Sequence, residues 1–251
     1  MRALVTRIGA WLPQGYGDAG RQLGLFVLAD LCYETVRGIA EGNANLAFAN
    51  ARAVIDFESS IGLFFEEGLQ EAVLGTWLID VANFAYMNSH FVVTTVFMVW
   101  LYLYRNEHFY FVRNMFMVAM GIALIGYALV PTAPPRFFEE LGFVDSLDMV
   151  SVNHDSAFVQ MFVNPYAAIP SMHCAFSLMI GVAGVRVSRH LASKVLWCAY
   201  PLFVFWVVMV TGNHFWIDGA IGWMVAGLAA LGALQLARLR PAAWAWRPAT
   251  A

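Results

Sequence analysis

Long apolar runs with few charged residues recur along this chain and dominate its pattern. Each is about 17–21 residues long, the length that an α-helix needs to cross a bilayer. The first run is the exception, because it carries Asp30 and Glu34, and such groups are costly in a span unless they face a polar interior. Together the runs predict an all-α integral membrane protein with six transmembrane helices, at 22–38, 88–104, 111–130, 169–186, 195–212 and 217–237.

The segment between the first two spans has a different pattern. Over 40–75, Asn, Arg, Asp and Glu interleave with Leu, Phe, Val and Ile at mixed spacing. This mixture is typical of amphipathic helices that lie in the membrane interface. A second polar stretch, 131–168, separates the third and fourth spans. We therefore predict a single membrane domain, 1–251, with interfacial helices at 40–75 and a long loop at 131–168 that contributes to an active site.

Composition favours a membrane setting. Hydrophobic residues make up 61% of the 251-residue chain and charged residues 12%, about half the charged share that is usual in soluble domains. The net charge of -3 and the lack of a basic run give no indication of a nucleic-acid partner. The cysteines Cys32, Cys174 and Cys198 lie in apolar segments at no metal-ligand spacing, and we expect them to be packing residues.

The basic residues fall unequally on the two sides of the predicted spans. Cytoplasmic loops near span ends are enriched in Lys and Arg. One orientation puts eleven of the fourteen basic residues on one side and leaves Arg37, Arg52 and Arg136 opposite. We therefore expect both termini in the cytoplasm, the loop 131–168 on the extracytoplasmic side, and the plasma membrane as the location.

Polar and titratable groups lie at three helix ends on that extracytoplasmic side. Arg136 follows the third span, His173 lies at the start of the fourth, and His214 lies between the last two. Asp218 follows His214 by four residues, so a helix there would put both on one face. The carboxylate could then accept a hydrogen bond from one imidazole nitrogen and leave the other nitrogen as a nucleophile.

The neighbouring groups suit phosphoryl transfer. His173 would protonate a leaving group. The forked guanidinium of Arg136 matches phosphate oxygens, and the helix N-termini at Ser171 and near His214 would add backbone N–H groups that favour an anion. This chemistry needs neither a metal nor a cofactor, and we predict none.

Three motifs resemble the signature motifs of the type 2 phosphatidic acid phosphatase (PAP2) superfamily of membrane lipid phosphatases and phosphotransferases. They are Pro134-Pro-Arg136, Pro170-Ser-Met-His173 and His214-Phe-Trp-Ile-Asp218. The resemblance implies that the second histidine forms a phospho-enzyme, its aspartate orients it, the first histidine protonates the leaving group, and arginine holds the phosphate. It also implies a lipid phosphate or phospholipid as substrate, with a lipid alcohol or water as acceptor.

Further positions are similar to the branch that contains the inositol phosphorylceramide synthases, which are inositolphosphotransferases. They bring the resemblance to about 37–228 and comprise Asn45, Glu58, Gly62, Glu66, the stretch 86–91 and the whole of 131–136. Likeness to this branch implies transfer to an alcohol somewhat more than hydrolysis, and it leaves both outcomes open.

Two phosphate-binding cations of the common lipid phosphatases are missing. The lysine seven residues before the first-motif arginine is Leu129 here, and the Ser-Arg pair ahead of the second histidine is Val207-Val208. Besides Arg136 and Ser171, the candidates for binding the substrate are therefore His90, Tyr86, Asn213 and Arg52.

Two other classes of protein fit part of the pattern. A transporter or channel could use the His, Asp and Arg cluster as a proton or anion pathway, but its ionisable groups would be staggered along the spans, whereas these gather at one face. A metal or haem protein could ligate through His173 and His214. The chain lacks an HxxxH-type pair, however, and supplies few further His or Cys ligands near that face.

Overall fold

The computed structural model describes residues 12–39, 44–147 and 166–239, without the side chains of 33–39 and of His90. Within these ranges the chain is helical apart from turns, loops and one isolated bridge, so the predicted all-α class is confirmed. The helices are α1 (Gly15–Ile39), α2 (Ala44–Ser60), α3 (Glu66–Glu71), α4 (Trp77–Asn88), α5 (Thr94–Tyr104), α6 (Asn106–Leu129), α7 (Met172–Val187), α8 (Leu191–Val210) and α9 (Trp216–Leu239).

Among the described helices, α6, α8 and α9 are long and apolar enough to cross a membrane. They coincide with three of the predicted spans. A fourth is added if α4 and α5, which bend by 49° about the π-helical turn Ser89–Val93, form one span. The helix α7 is apolar but only 16 residues long, and α1 carries five charged residues. The arrangement with six spans therefore stays a prediction.

The helix α4 begins eleven residues before the span predicted at 88–104. Its start is fixed by Thr76, whose hydroxyl accepts a hydrogen bond from the backbone N–H of Leu78 at 3.2 Å. Asp80 and Asn83 interrupt the apolar run, which is why the pattern placed the span later. The segment predicted to be interfacial, 40–75, contains two helices, α2 and α3.

The helix α7 lies between α8 and α9, and α9 also packs along α6. Gly222 of α9 faces the N-terminus of α7 so closely that a Cβ there would overlap the carbonyl oxygen of Ser171. Glycine is needed at this contact, because any side chain would push the two helices apart. The close contact brings the helix that carries His173 next to the helix that follows His214.

Hydrogen bonds join the helix α2 to the loop that follows α6. The N–H of Ala133 donates to the carbonyl of Ala47 at 3.1 Å, and Asn50 Nδ2 donates to the carbonyl of Pro131 at 2.8 Å. The N–H of Thr132 also donates to the carbonyl of Tyr166 at 2.8 Å, so both ends of the long loop meet. These bonds fix the backbone that leads into Arg136.

Candidate active site

His214 and Asp218 lie one helical turn apart at the start of α9, as their spacing predicts. His214 Nδ1 lies 3.3 Å from Asp218 Oδ2, and the N–H of Phe215 donates to the same oxygen at 3.0 Å. The carboxylate of Asp218 is fully buried, and His214 is 5% exposed. A buried acceptor at Nδ1 fixes the ring and directs Nε2, on the opposite edge, away from the aspartate.

His173 lies in the first turn of α7, next to His214. The two imidazole centroids are 6.1 Å apart, and the ring of Tyr86 stacks on His173 with a centroid distance of 4.4 Å. The backbone N–H of Ser171 donates to the carbonyl of Asp218 at 3.1 Å, which ties the start of α7 to α9. The structure therefore brings together both predicted histidines, Asp218 and Tyr86.

Arg136 contacts the turn that precedes His214. Its backbone N–H donates to the carbonyl of Gly212 at 2.8 Å, and its Nη1 donates to Asn213 Oδ1. Gly212 has a φ of 68°, a left-handed conformation that glycine adopts without strain. The guanidinium Nε also pairs with Asp145 Oδ2 at 3.1 Å, and the side chain is 14% exposed. The predicted cation thus lies beside the predicted nucleophile.

A protein-family model described as the PAP2 superfamily matches residues 52–232, more than two thirds of the chain. The chain belongs to the PAP2 superfamily. No curated protein and no solved structure matched it. The matched range includes Arg136, His173, His214 and Asp218. Membership indicates a phosphatase or phosphotransferase that acts on phosphate esters, and the apolar helices indicate a membrane setting.

Asp145 is a member of this PAP2 site that the sequence did not single out. The residues on either side of it are anchored: the N–H of Val144 donates to Gln70 Oε1 at 2.9 Å, and Asn83 Nδ2 donates to the carbonyl of Ser146 at 2.9 Å. Asp145 is thereby held against Arg136. Glu139, Glu140 and Asp148 occur in the same loop, so the sequence offers no signal to select Asp145.

The expectation that the N-terminus of α9 is open to an anion is wrong. Its first N–H groups already donate to buried carboxylates: that of Trp216 to Glu66 Oε1 at 2.7 Å, and that of Ile217 to Glu58 Oε1 at 3.3 Å. Burial and the nearby charge of Glu66 raise the pKa of Glu58 to about 9. The N–H groups of Trp216 and Ile217 are therefore already bonded and are not available to a phosphate.

Several predicted binding residues have internal partners. Ser171 is fully buried, and its hydroxyl caps α7 by accepting from the N–H of Cys174 at 3.5 Å. The side-chain amide of Asn213 also donates to Thr211 Oγ1 at 2.9 Å, so Asn213 orients Arg136 and its own turn. The prediction for His90 falls on a side chain outside those described. Arg52 is 70% exposed and lies 3.9 Å from Glu140 at the surface, so the structure does not bring it to the site.

The positions of the missing family cations hold apolar groups. Leu129 is 72% exposed, whereas Val207 and Val208 are buried in apolar clusters. Within the described ranges, no set of three or more His, Cys, Asp and Glu side chains could hold a metal ion. Arg136 is thus a cation whose described contacts connect it to the turn that precedes His214.

Proposed function

We propose that this PAP2 protein is a membrane lipid phosphatase or phosphotransferase that acts through a phosphohistidine on His214. The observation that carries the proposal is the buried contact between His214 Nδ1 and Asp218, beside His173. An imidazole held at Nδ1 by a carboxylate keeps its other nitrogen unprotonated and oriented. Arg136, bonded to the residue before His214, supplies the positive charge for a phosphate.

In the proposed reaction, Nε2 of His214 attacks phosphorus while the bond to the leaving oxygen breaks. His173 donates its proton to that oxygen, and Arg136 neutralises the charge on the phosphoryl oxygens. Water or a lipid alcohol then attacks the phosphohistidine and gives its proton to His173. The N–P bond breaks, and both histidines return to their starting state. Each proton and each bond is handled by side chains of this chain, so the proposal includes no metal and no cofactor.

The proposed substrate is a lipid phosphoester or diphosphate. The site lies where α6, α7 and α9 end or begin, and two of these helices are apolar enough to span a membrane. A lipid headgroup at the membrane surface would reach such a position while its chains stay in the bilayer. Clustering of the titratable groups at one end, together with PAP2 membership, favours an enzyme over a transporter or channel.

The proposed function is tested with purified protein and labelled lipids. Phosphatidate, polyprenyl diphosphate and phosphatidylinositol are each incubated with and without diacylglycerol or ceramide. We expect turnover of at least one lipid. A phosphoryl group should also be trapped on His214 through a bond that acid cleaves. His214→Ala should abolish both signals, and His108→Ala, a change at an exposed histidine far from the site, should preserve them. Intact substrates throughout, or an active His214→Ala protein, would refute the mechanism.

We also propose that the site faces the extracytoplasmic side of the plasma membrane, with both termini in the cytoplasm. The support is the unequal distribution of basic residues, because Arg136 belongs to the side with few of them. Single cysteines replacing Glu139 and Ser188 in a cysteine-free protein test the orientation. An impermeant thiol reagent should label Glu139→Cys from outside intact cells and Ser188→Cys only after permeabilisation. The reverse pattern would invert the topology.

A further inference from the structure

Three buried carboxylates occupy the N-terminus of α9, directly after His214. The consecutive N–H groups of Phe215, Trp216 and Ile217 donate to Asp218 Oδ2 at 3.0 Å, Glu66 Oε1 at 2.7 Å and Glu58 Oε1 at 3.3 Å respectively. Glu58, Glu66 and Asp218 are all fully buried. Two of these acceptors come from α2 and α3, about 150 residues earlier in the chain.

The first turn of a helix has N–H groups that no helical carbonyl can accept. Such a turn frays unless side chains or solvent satisfy those groups. His214 immediately precedes this turn and contacts Asp218 within it. The direction of the imidazole therefore depends on whether the turn keeps its shape. Within the described residues, Glu66 and Glu58 are the side chains from distant elements that accept from the N–H groups of this turn.

Three ionised carboxylates could not be buried together here. Glu58 faces Glu66 of α3 and Asp218 of α9, and both neighbours favour its protonated form. No described donor bonds to Glu58 Oε2, which is the oxygen available to carry the proton, and a hydrogen bond between the Glu58 and Glu66 side chains also raises the pKa of Glu58. A neutral Glu58 still accepts from Ile217 through Oε1. The arrangement thus gives the N–H groups at the start of α9 their hydrogen-bond acceptors without burying three negative charges together.

We propose that Glu58 and Glu66 are positioning residues, which hold the first turn of α9 so that His214 presents Nε2 to the substrate phosphorus. They also occupy the helix terminus that a phosphate would otherwise use, which leaves phosphate binding to the Arg136 side. This inference rests on the proposed function, because it assigns the two glutamates to the reaction of His214.

The first test measures kcat and KM separately for Glu66→Ala, Glu66→Gln and Glu58→Gln. We expect Glu66→Ala to lower kcat about 30-fold with KM within twofold, since the substrate pocket remains while the nucleophile is misdirected. Glu66→Gln should recover most of the activity, because its amide oxygen still accepts from Trp216. Glu58→Gln, which resembles the protonated acid, should stay within threefold of wild type at neutral pH.

Two exposed carboxylates provide matched controls on the same helices. Glu71→Ala on α3 and Asp56→Asn on α2 should leave both constants unchanged. A wild-type kcat in Glu66→Ala would overturn the inference, and so would a loss confined to KM. If Glu66→Ala does not fold, Glu66→Met, which keeps the side-chain volume but cannot accept from Trp216, replaces it: a kcat equal to that of Glu66→Gln would contradict the role.

The second test is hydrogen exchange of the peptide that contains His214 to Asp218, measured on the full-length protein in detergent without substrate. Glu66→Ala should speed exchange of the amides of this peptide at least tenfold, and Glu71→Ala should not. Unchanged exchange would overturn the positioning role. Because exchange needs no turnover, a wild-type protein that cleaves none of the lipids would refute the proposed function, while the exchange data would still decide whether the glutamates hold the turn.

Discussion

Two buried polar clusters lie at opposite ends of α6, and they differ in how their charges are paired. The cluster near the start of α6, here called the Asp18 cluster, consists of Asp18, Gln22, Tyr102, Tyr110 and Arg113. Asp18 accepts from Tyr110 at 2.7 Å, from Tyr102 at 3.1 Å and from Gln22 at 2.9 Å. Arg113 donates to the side-chain oxygen of Gln22. Each member is thus bonded to another member.

The proposed active site lies at the far end of α6 and is arranged around the imidazole of His214. Aspartate holds only one nitrogen of His214, and His173 faces it across 6.1 Å between ring centroids. The comparison teaches that a buried charge in an apolar chain is weak evidence for function by itself. What distinguishes the proposed active site is that its polar contacts orient the proposed nucleophile, whereas those of the Asp18 cluster join α1 to α5 and α6.

The largest contrast is expected between two aspartates. Asp218→Asn should lower kcat on the order of 10³–10⁴-fold, because an amide no longer fixes the tautomer of His214 or stabilises its charge. Asp18→Asn should keep kcat within about threefold but lower the free energy of unfolding by about 1–3 kcal/mol, since three donors lose a charged acceptor. Steady-state kinetics and thermal unfolding measure the two effects. Similar kinetic losses in both variants would abolish the distinction between the clusters.

A smaller contrast is expected between Arg136 and Arg113. Arg136→Lys should lower kcat/KM about 100-fold, because an ammonium cannot bond Asp145 and Asn213 and also present a fork to phosphate. Arg113→Lys removes a bond to Gln22 and should leave kcat/KM within about threefold. The measurement is a substrate titration of each variant. An Arg136→Lys protein with wild-type kcat/KM would show that another group neutralises the phosphate.

Substitutions of Tyr86 and Tyr110 should separate the effect of losing an aromatic ring from the effect of losing a hydroxyl. Tyr86→Ala removes the ring that stacks on His173 and should lower kcat about tenfold, while Tyr86→Phe keeps the stack and should stay within about twofold. In the Asp18 cluster the hydroxyl is the important group, because Tyr110→Phe keeps the ring but loses the bond to Asp18. This change should lower the free energy of unfolding by about 1 kcal/mol. Equal effects of Tyr86→Ala and Tyr86→Phe on kcat would contradict the stacking role.

The last comparison concerns the pH dependence of stability, which depends on the charge of Glu58. The pKa of Glu58 is about 9 in the folded protein, against a usual value of 4.5. Between these values the folded state holds a proton that the unfolded state releases, so stability falls as pH rises through this range. Glu58→Gln should flatten the slope of the unfolding midpoint between pH 5 and 9, relative to Asp56→Asn. An unchanged slope would show that Glu58 is ionised when folded.

Local features of this site were predictable from sequence, and distant partners were not. The four-residue spacing from His214 to Asp218 predicts their contact, since a helix puts such residues on one face. Likewise, the uncharged runs predict α6, α8 and α9. Asp145 was missed because its pairing with Arg136 depends on Gln70 and Asn83, which hold the loop from other helices. No spacing rule connects residues so far apart.

The glutamates illustrate the same limit. Glu58 and Glu66 stood out only through their resemblance to a family branch, and nothing in α2 or α3 indicates that they reach α9. The expectation of an anion at the start of α9 failed for this reason: helix termini attract any anion, including a carboxylate of the chain itself. The structure puts the side chain of Arg52 at the surface beside Glu140, and sequence does not show which way an arginine side chain points.

The bond between Thr132 and Tyr166 has a consequence for protein engineering. On one side of residues 148–165 the chain is anchored through Ser146, and on the other through the bridge from Thr132 to Ala167. Because both attachment points are fixed, the entropy cost of changing the length between them grows only with the logarithm of that length. We therefore expect Arg136 and Asp145 to keep their positions when a foreign segment of different length joins Leu147 to Tyr166.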